Sequence, residues 1–134
     1  MNEKEIKQRF ITEHFDKFKN LLQSPQLRVY AIEFPIEIEN SNKYADIVLI
    51  NENQEKFYDK QIFVLEFKKD HINHGPVDQL DMYVKSIHKR LYRRNKTIGI
   101  LVAPSFSKHE LASCRKNGYH ALQLDSHFNM RFLA

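Results

Sequence analysis

Gln61-Ile62-Phe63-Val64-Leu65-Glu66-Phe67-Lys68 is an apolar run of strand length that carries an acid and an amine at its end. Strand side chains alternate with period two, so Glu66 and Lys68 project from one face with Ile62 and Val64, while Phe63, Leu65 and Phe67 face the other way. A charge buried without a partner is costly, which makes ionisable residues inside apolar strands the informative ones. Asp46 is the third of them, interrupting the otherwise apolar run from Tyr44 to Ile50. If the strands carrying Asp46 and Glu66 pair, their carboxylates form an oxygen-rich site of the kind that Mg²⁺ or Mn²⁺ selects. Such a site can hydrolyse a phosphodiester, with Lys68 orienting the attacking water or stabilising developing charge. The plainer alternative is that Glu66 and Lys68 form an exposed pair on a half-buried strand, worth little energy.

Working outward, the spacing of Ile6, Phe10, Ile11, Phe15, Phe18, Leu21 and Leu22 predicts one amphipathic helix over 3–22, with Asn2 as N-cap and Ser24-Pro25 beyond its end. Ile32, Phe34, Ile36 and Ile38 alternate with Glu33, Pro35, Glu37 and Glu39, a strand with one polar face in which Pro35 demands an edge position or a bulge. Asn40-Ser41-Asn42 reads as a turn and 51–60 as a polar loop. After the loop His71–Gly75, a helix starts at Pro76 with Val77, Leu80, Val84, Ile87 and Leu91 on one stripe. Thr97–Ala103 is a strand. Ser107 caps a helix that runs to Asn117 and stops at Gly118, and His120–Asp125 is a last strand. The order αβββαβαβ implies an α/β fold with a mixed sheet and helices on both faces.

The chain of 134 residues suits one domain over 1–134 with one site. A net charge of +4 suits a polyanionic partner such as DNA. The single cysteine, Cys114, excludes an internal disulfide and a Cys-rich metal cluster, and points to a reducing, cytoplasmic setting. No apolar run is long enough for a membrane span, and the N-terminus lacks an apolar signal core, so a soluble, intracellular protein is expected.

The arrangement of Asp46 followed by Glu66-Phe67-Lys68 resembles the PD-(D/E)xK nuclease superfamily, whose restriction-endonuclease-like core is an αβββαβ unit. Gln79 and Tyr83 lie four apart, on one face of the helix that follows. This pair resembles the QxxxY motif of the RecB-like branch, where the glutamine and tyrosine stand beside the metal site. The nearest resemblance is to the C-terminal nuclease domain of the NucS/EndoMS endonucleases, carried by Glu3-Lys4-Glu5-Ile6, by Glu33-Phe34-Pro35-Ile36 and by the thirteen-residue step from Glu66 to Gln79. The glycine usual before the aspartate strand is absent, and no N-terminal specificity domain corresponds. The resemblance implies a divalent-metal-dependent deoxyribonuclease of DNA repair, recombination or replication processing, with Mg²⁺ or Mn²⁺ on Asp46 and Glu66. It leaves open a junction-resolving substrate, a catalytically silent binding or assembly module, an accessory subunit whose partner protein supplies specificity or a motor, and a homodimer.

Glu3 is the helix-borne acid chosen to join the catalytic set, with Glu5 and Glu13 pointing further outward and Glu33 in reserve; a first-turn glutamate stabilising the helix dipole explains Glu3 equally well. Lys69, Lys85, Lys89, Arg90, Arg93 and Arg94 are candidate phosphate contacts, against the alternative of a solvated basic face. His71 and His74 lack a third zinc ligand nearby, and Cys114 falls mid-helix, where thiols are usually inert.

Overall fold

A computed structural model describes residues 1–38, 41–52, 60–72, 75–91 and 96–134. Six strands, β1 (Leu27–Ile38), β2 (Ser41–Glu52), β3 (Lys60–Phe67), β4 (Lys96–Ala103), β5 (His120–Leu124) and β6 (Met130–Phe132), form one sheet in the order β1-β2-β3-β4-β5-β6. Neighbours run antiparallel from β1 to β3, parallel from β3 to β5, and antiparallel again between β5 and β6. The parallel joins require crossovers, supplied by α3 (Pro76–Arg90) and α4 (Lys108–Asn117). Two helices, α1 (Glu3–Glu13) and α2 (Phe15–Leu21), precede the sheet. None of the helices is long and apolar enough to cross a membrane among the described residues.

The period-two alternation of β3 divides the core as expected. Ile62 and Val64 pack with Val77, Leu80, Tyr83, Val84 and Ile87 of α3. Phe63, Leu65 and Phe67 pack with Phe10 and Phe18 of the N-terminal helices on the other face. The mixed sheet flanked by helices is therefore the architecture found. Gly99 has a specific part in it: a Cβ there would come within 2.9 Å of the Leu80 side chain and 3.1 Å of Val84. The helix α3 beds down onto β4 because residue 99 has no side chain.

Both α4 boundaries are where the cap residues put them. Glu110 N–H donates to Ser107 Oγ (3.2 Å), and Gly118 adopts φ 72° at the C-cap. Asn2 caps α1 by accepting from Glu5 N–H (2.8 Å). Four expectations need correction. The single helix over 3–22 is broken at His14, whose φ and ψ of −126° and 6° are non-helical and whose ring stacks at 4.3 Å on Phe128. Ser41-Asn42-Lys43 belong to β2, paired with Ile36 to Ile38, rather than to a turn. Ile32 is 52% exposed, because a bulge between Val29 and Ala31 and a left-handed φ of 54° at Glu33 put the strand out of phase. Finally, β6 was not anticipated; it closes the far edge of the sheet on β5. Pro35 does lie on an edge strand.

Candidate active site

The site forms where β2 parts from β3. The antiparallel ladder between them runs from Glu52↔Lys60 to Ile47↔Leu65 and stops one residue short of Asp46 and Glu66. Beyond that point β2 turns over: Ile47 faces the α1 core and Ala45 the α3 core, although two residues apart in one strand should share a face. Two backbone donors would be orphaned by the parting, and each is taken by a carboxylate. Asp46 N–H donates to Glu66 Oε1 (2.9 Å), and Phe67 N–H donates to Asp46 Oδ2 (2.8 Å). The two acids thus replace ladder bonds reciprocally, which fixes both side chains against the sheet.

This placement leaves Glu66 only 5% exposed. Burial first, and the neighbouring Asp46 charge second, push its carboxyl from the ordinary 4.5 up to about 8, against the opposing pull of the Asp46 N–H and of Lys68. Tyr83 is within the same field: its phenol is raised by burial, then by the charges of Glu66 and Asp46, while a hydrogen bond with Gln79 acts the other way. The Tyr83 ring is buried in the α3 core. Lys68 follows the last residue of β3 and donates its N–H to Val102 O (2.8 Å). Its half-buried side chain lines a depression of about 210 Å³, walled by Phe67, Val102 and Leu124 at the C-terminal ends of β3, β4 and β5 and by Phe128; Asp46, Glu66, Gln79 and Tyr83 do not line it. Crevices at the carboxyl ends of such strands are the usual ligand sites of open α/β sheets.

Asp46, Glu66, Lys68, Gln79 and Tyr83 are accordingly neighbours. The remaining candidates are placed elsewhere. Glu3 accepts the Lys69 N–H at 3.3 Å and so pins α1 to the chain leaving β3, rather than joining the two carboxylates. Glu5 and Glu13 are exposed, and Glu13 pairs with Arg9 (2.9 Å). Among the described residues no group of three His, Cys, Asp or Glu side chains converges.

The basic candidates separate in the same way. Lys69 lies beside the site, exposed. Lys85 and Lys89 are exposed on α3, Lys85 paired with Asp81 at 2.7 Å. Arg90 is structural in its contacts: it donates to Pro35 O (2.6 Å) and covers the Phe34 ring, tying the end of α3 to β1. It stands eleven residues, roughly 16 Å of helix, from Gln79. Arg93, Arg94 and His74 lie outside the described residues, while His71 shares a hydrogen bond with Ser105 Oγ (2.7 Å). Cys114 is buried, its thiol pushed up to about 11 by burial and by Glu110, as an inert packing residue should be.

One participant went unnoticed in the sequence. Lys7 of α1, only 12% exposed, places its Nζ 3.3 Å from Asp46 Oδ1 and 3.4 Å from Glu33 Oε1. Its position beside Ile6, three residues before buried Phe10, is the signal that was available: a lysine on the edge of the apolar stripe.

No protein-family model matches the chain, and no curated protein matches it significantly. Solved structures do match. A repair endonuclease from Pyrococcus abyssi superposes with a TM-score of 0.59 at 23% identity, over 84% of this chain and 47% of that one. EndoMS in its apo form gives 0.61 at 20%, over 93% and 47%. The EndoMS-dsDNA2 complex gives 0.50 at 22%, over 80% and 41%. This chain has their fold. It spans about half the length of the chains it matches, and at these identities the likeness is one of architecture.

Proposed function

We propose that the chain is a divalent-metal-dependent nuclease that hydrolyses DNA phosphodiester bonds in repair, recombination or replication processing. The observation that carries this reading is the reciprocal pair of Asp46 and Glu66 at the parting of β2 from β3.

The residues fit Mg²⁺ or Mn²⁺. Two carboxylates meet there, and such hard ions are commonly held by one or two carboxylates, with water and substrate phosphate filling the other positions. Backbone N–H groups hold one oxygen of each acid, Asp46 Oδ2 and Glu66 Oε1, and Asp46 Oδ1, which faces the Lys7 ammonium, is the oxygen a metal would take. An ion bound there supplies Lewis acidity toward a phosphoryl oxygen and toward water. The chain's own groups do the rest. The Lys68 ammonium, whose charge acts on Glu66, holds the attacking water or the developing phosphoryl charge. Tyr83, hydrogen-bonded to Gln79, stands in the field of both acids on the α3 side. Lys69, at the mouth, steers the backbone phosphates, and the exposed Lys85 and Lys89 extend the contact along α3.

A nuclease fold shared with a repair endonuclease supports DNA as the substrate class. The deciding experiment is a panel of flaps, ends, junctions, single strands and RNA with Mg²⁺ and with Mn²⁺, wild type beside Glu66→Ala. Cleavage of DNA by the wild type, lost in the variant, is expected; a wild type that cleaves nothing, or a variant that cleaves equally well, sinks the proposal.

A further inference from the structure

Lys7 presents a problem for the metal reading that its geometry also resolves. Asp46 has two carboxylate oxygens, and Phe67 N–H holds Oδ2. The other, Oδ1, is where a cation would bind, and the Lys7 ammonium is already there at 3.3 Å. An ammonium and a divalent cation cannot share one carboxylate oxygen without strong like-charge repulsion at close range. Lys7 also has a second anion within reach. Glu33 Oε1 is 3.4 Å from the same nitrogen, on a side chain 62% exposed, whereas Asp46 is 23% exposed.

The backbone at Glu33 departs from a regular strand. Glu33 occupies a left-handed φ of 54° inside β1, opposite the point where β2 turns over at Asp46. A non-glycine residue in that region carries a conformational cost that a regular strand would avoid. The turn-over re-aims the strand so that Glu33 and Asp46 meet one ammonium from α1.

We infer that Lys7 is an exchangeable counter-cation, which holds Asp46 in the metal-free protein and withdraws onto Glu33 when the metal binds. The inference rests on the metal-dependent reading above and deepens it. Three consequences follow from the exchange. Lys7 weakens metal binding, because its bond to Asp46 must first be given up. Glu33 strengthens it, by receiving the displaced ammonium. In the absence of metal, Lys7 stabilises the fold by neutralising a carboxylate beside a buried one.

The test needs no DNA. Mn²⁺ alone is titrated calorimetrically into metal-free protein, and thermal unfolding is followed with and without Mn²⁺. Lys7→Met is expected to bind Mn²⁺ about tenfold more tightly than wild type. It should melt at a lower temperature in chelator and show a larger rise in Tm on adding Mn²⁺. Glu33→Gln is expected to bind about threefold more weakly, since the displaced ammonium loses its acceptor. Equal or weaker Mn²⁺ binding by Lys7→Met overturns the inference. If that variant does not fold, Glu33→Gln decides alone, and unchanged or tighter binding overturns it. A wild type that takes up no Mn²⁺ at all removes the metal reading and this inference together; a wild type that binds, beside variants whose affinities fail to move as stated, removes only the exchange.

Discussion

Glu66, on the strand beneath α3, and Asp81, on α3 itself, are carboxylates whose protons are held in opposite ways. Around Asp81, burial pushes the carboxyl up, but hydrogen bonds from Lys85 Nζ and Tyr119 Oη outweigh it, and the group stays below its usual range. Around Glu66, burial acts in the same direction and the principal neighbour is another acid, so the shift to about 8 stands. The difference is one of depth first and of partners second, Glu66 being 5% exposed and the Asp81 side chain 24%. An acid given a lysine and a phenol loses its proton easily; a buried acid set beside another acid keeps it.

The sharpest way to break the comparison is through activity. Glu66→Gln should lower DNA cleavage by about 10³-fold, whereas Asp81→Asn should leave it within about twofold. Comparable losses in both would mean that the two clusters do not divide into chemistry and structure.

A second measurement uses pH. Between the ordinary 4.5 and about 8 the folded protein keeps a proton on Glu66 that the unfolded chain releases. The native state then binds more protons than the unfolded one, so stability falls as pH rises through that window. Metal-free wild type should therefore lose Tm from pH 5 to pH 8, and Glu66→Gln should flatten this part of the profile. Asp81 has the opposite sign: its contribution is present above 3.8 and is lost as pH falls below that value. A wild-type profile that rises across the upper window would contradict the buried, acid-paired environment of Glu66.

The smallest effects test the completeness of the Asp81 cluster. Tyr119→Phe should cost about 1 kcal/mol by leaving a hydrogen bond unmade. Lys85→Ala, at the exposed end of an i,i+4 pair, should cost about 0.4 kcal/mol. Neither should alter Mn²⁺ affinity in the calorimeter, and a change in it would couple two regions that the comparison keeps apart.

Much of this was readable beforehand, for local reasons. The α3 stripe, the Ser107 cap and the Gly118 stop are decided within a turn or two of chain, and each lies where it was expected. The approach of Asp46 to Glu66 followed from pairing two apolar strands. What could not be read depends on contacts distant in sequence. His14 breaks the first helix against Phe128, more than a hundred residues away. Three residues of β6 are too few to make a periodic pattern. Lys7 looked like any surface lysine until the turn-over of β1 and β2 brought Glu33 and Asp46 to it.

Gly99 sets the seating depth of all this. The Leu80 side chain rests where a Cβ at residue 99 would be, and Leu80 lies between Gln79 and Tyr83 on the same helix. A side chain at 99 would act as a shim under α3. It would lift Gln79 and Tyr83 away from Glu66 while touching neither, so that the vertical adjustment of the site is made on a strand that contributes no reactive group to it.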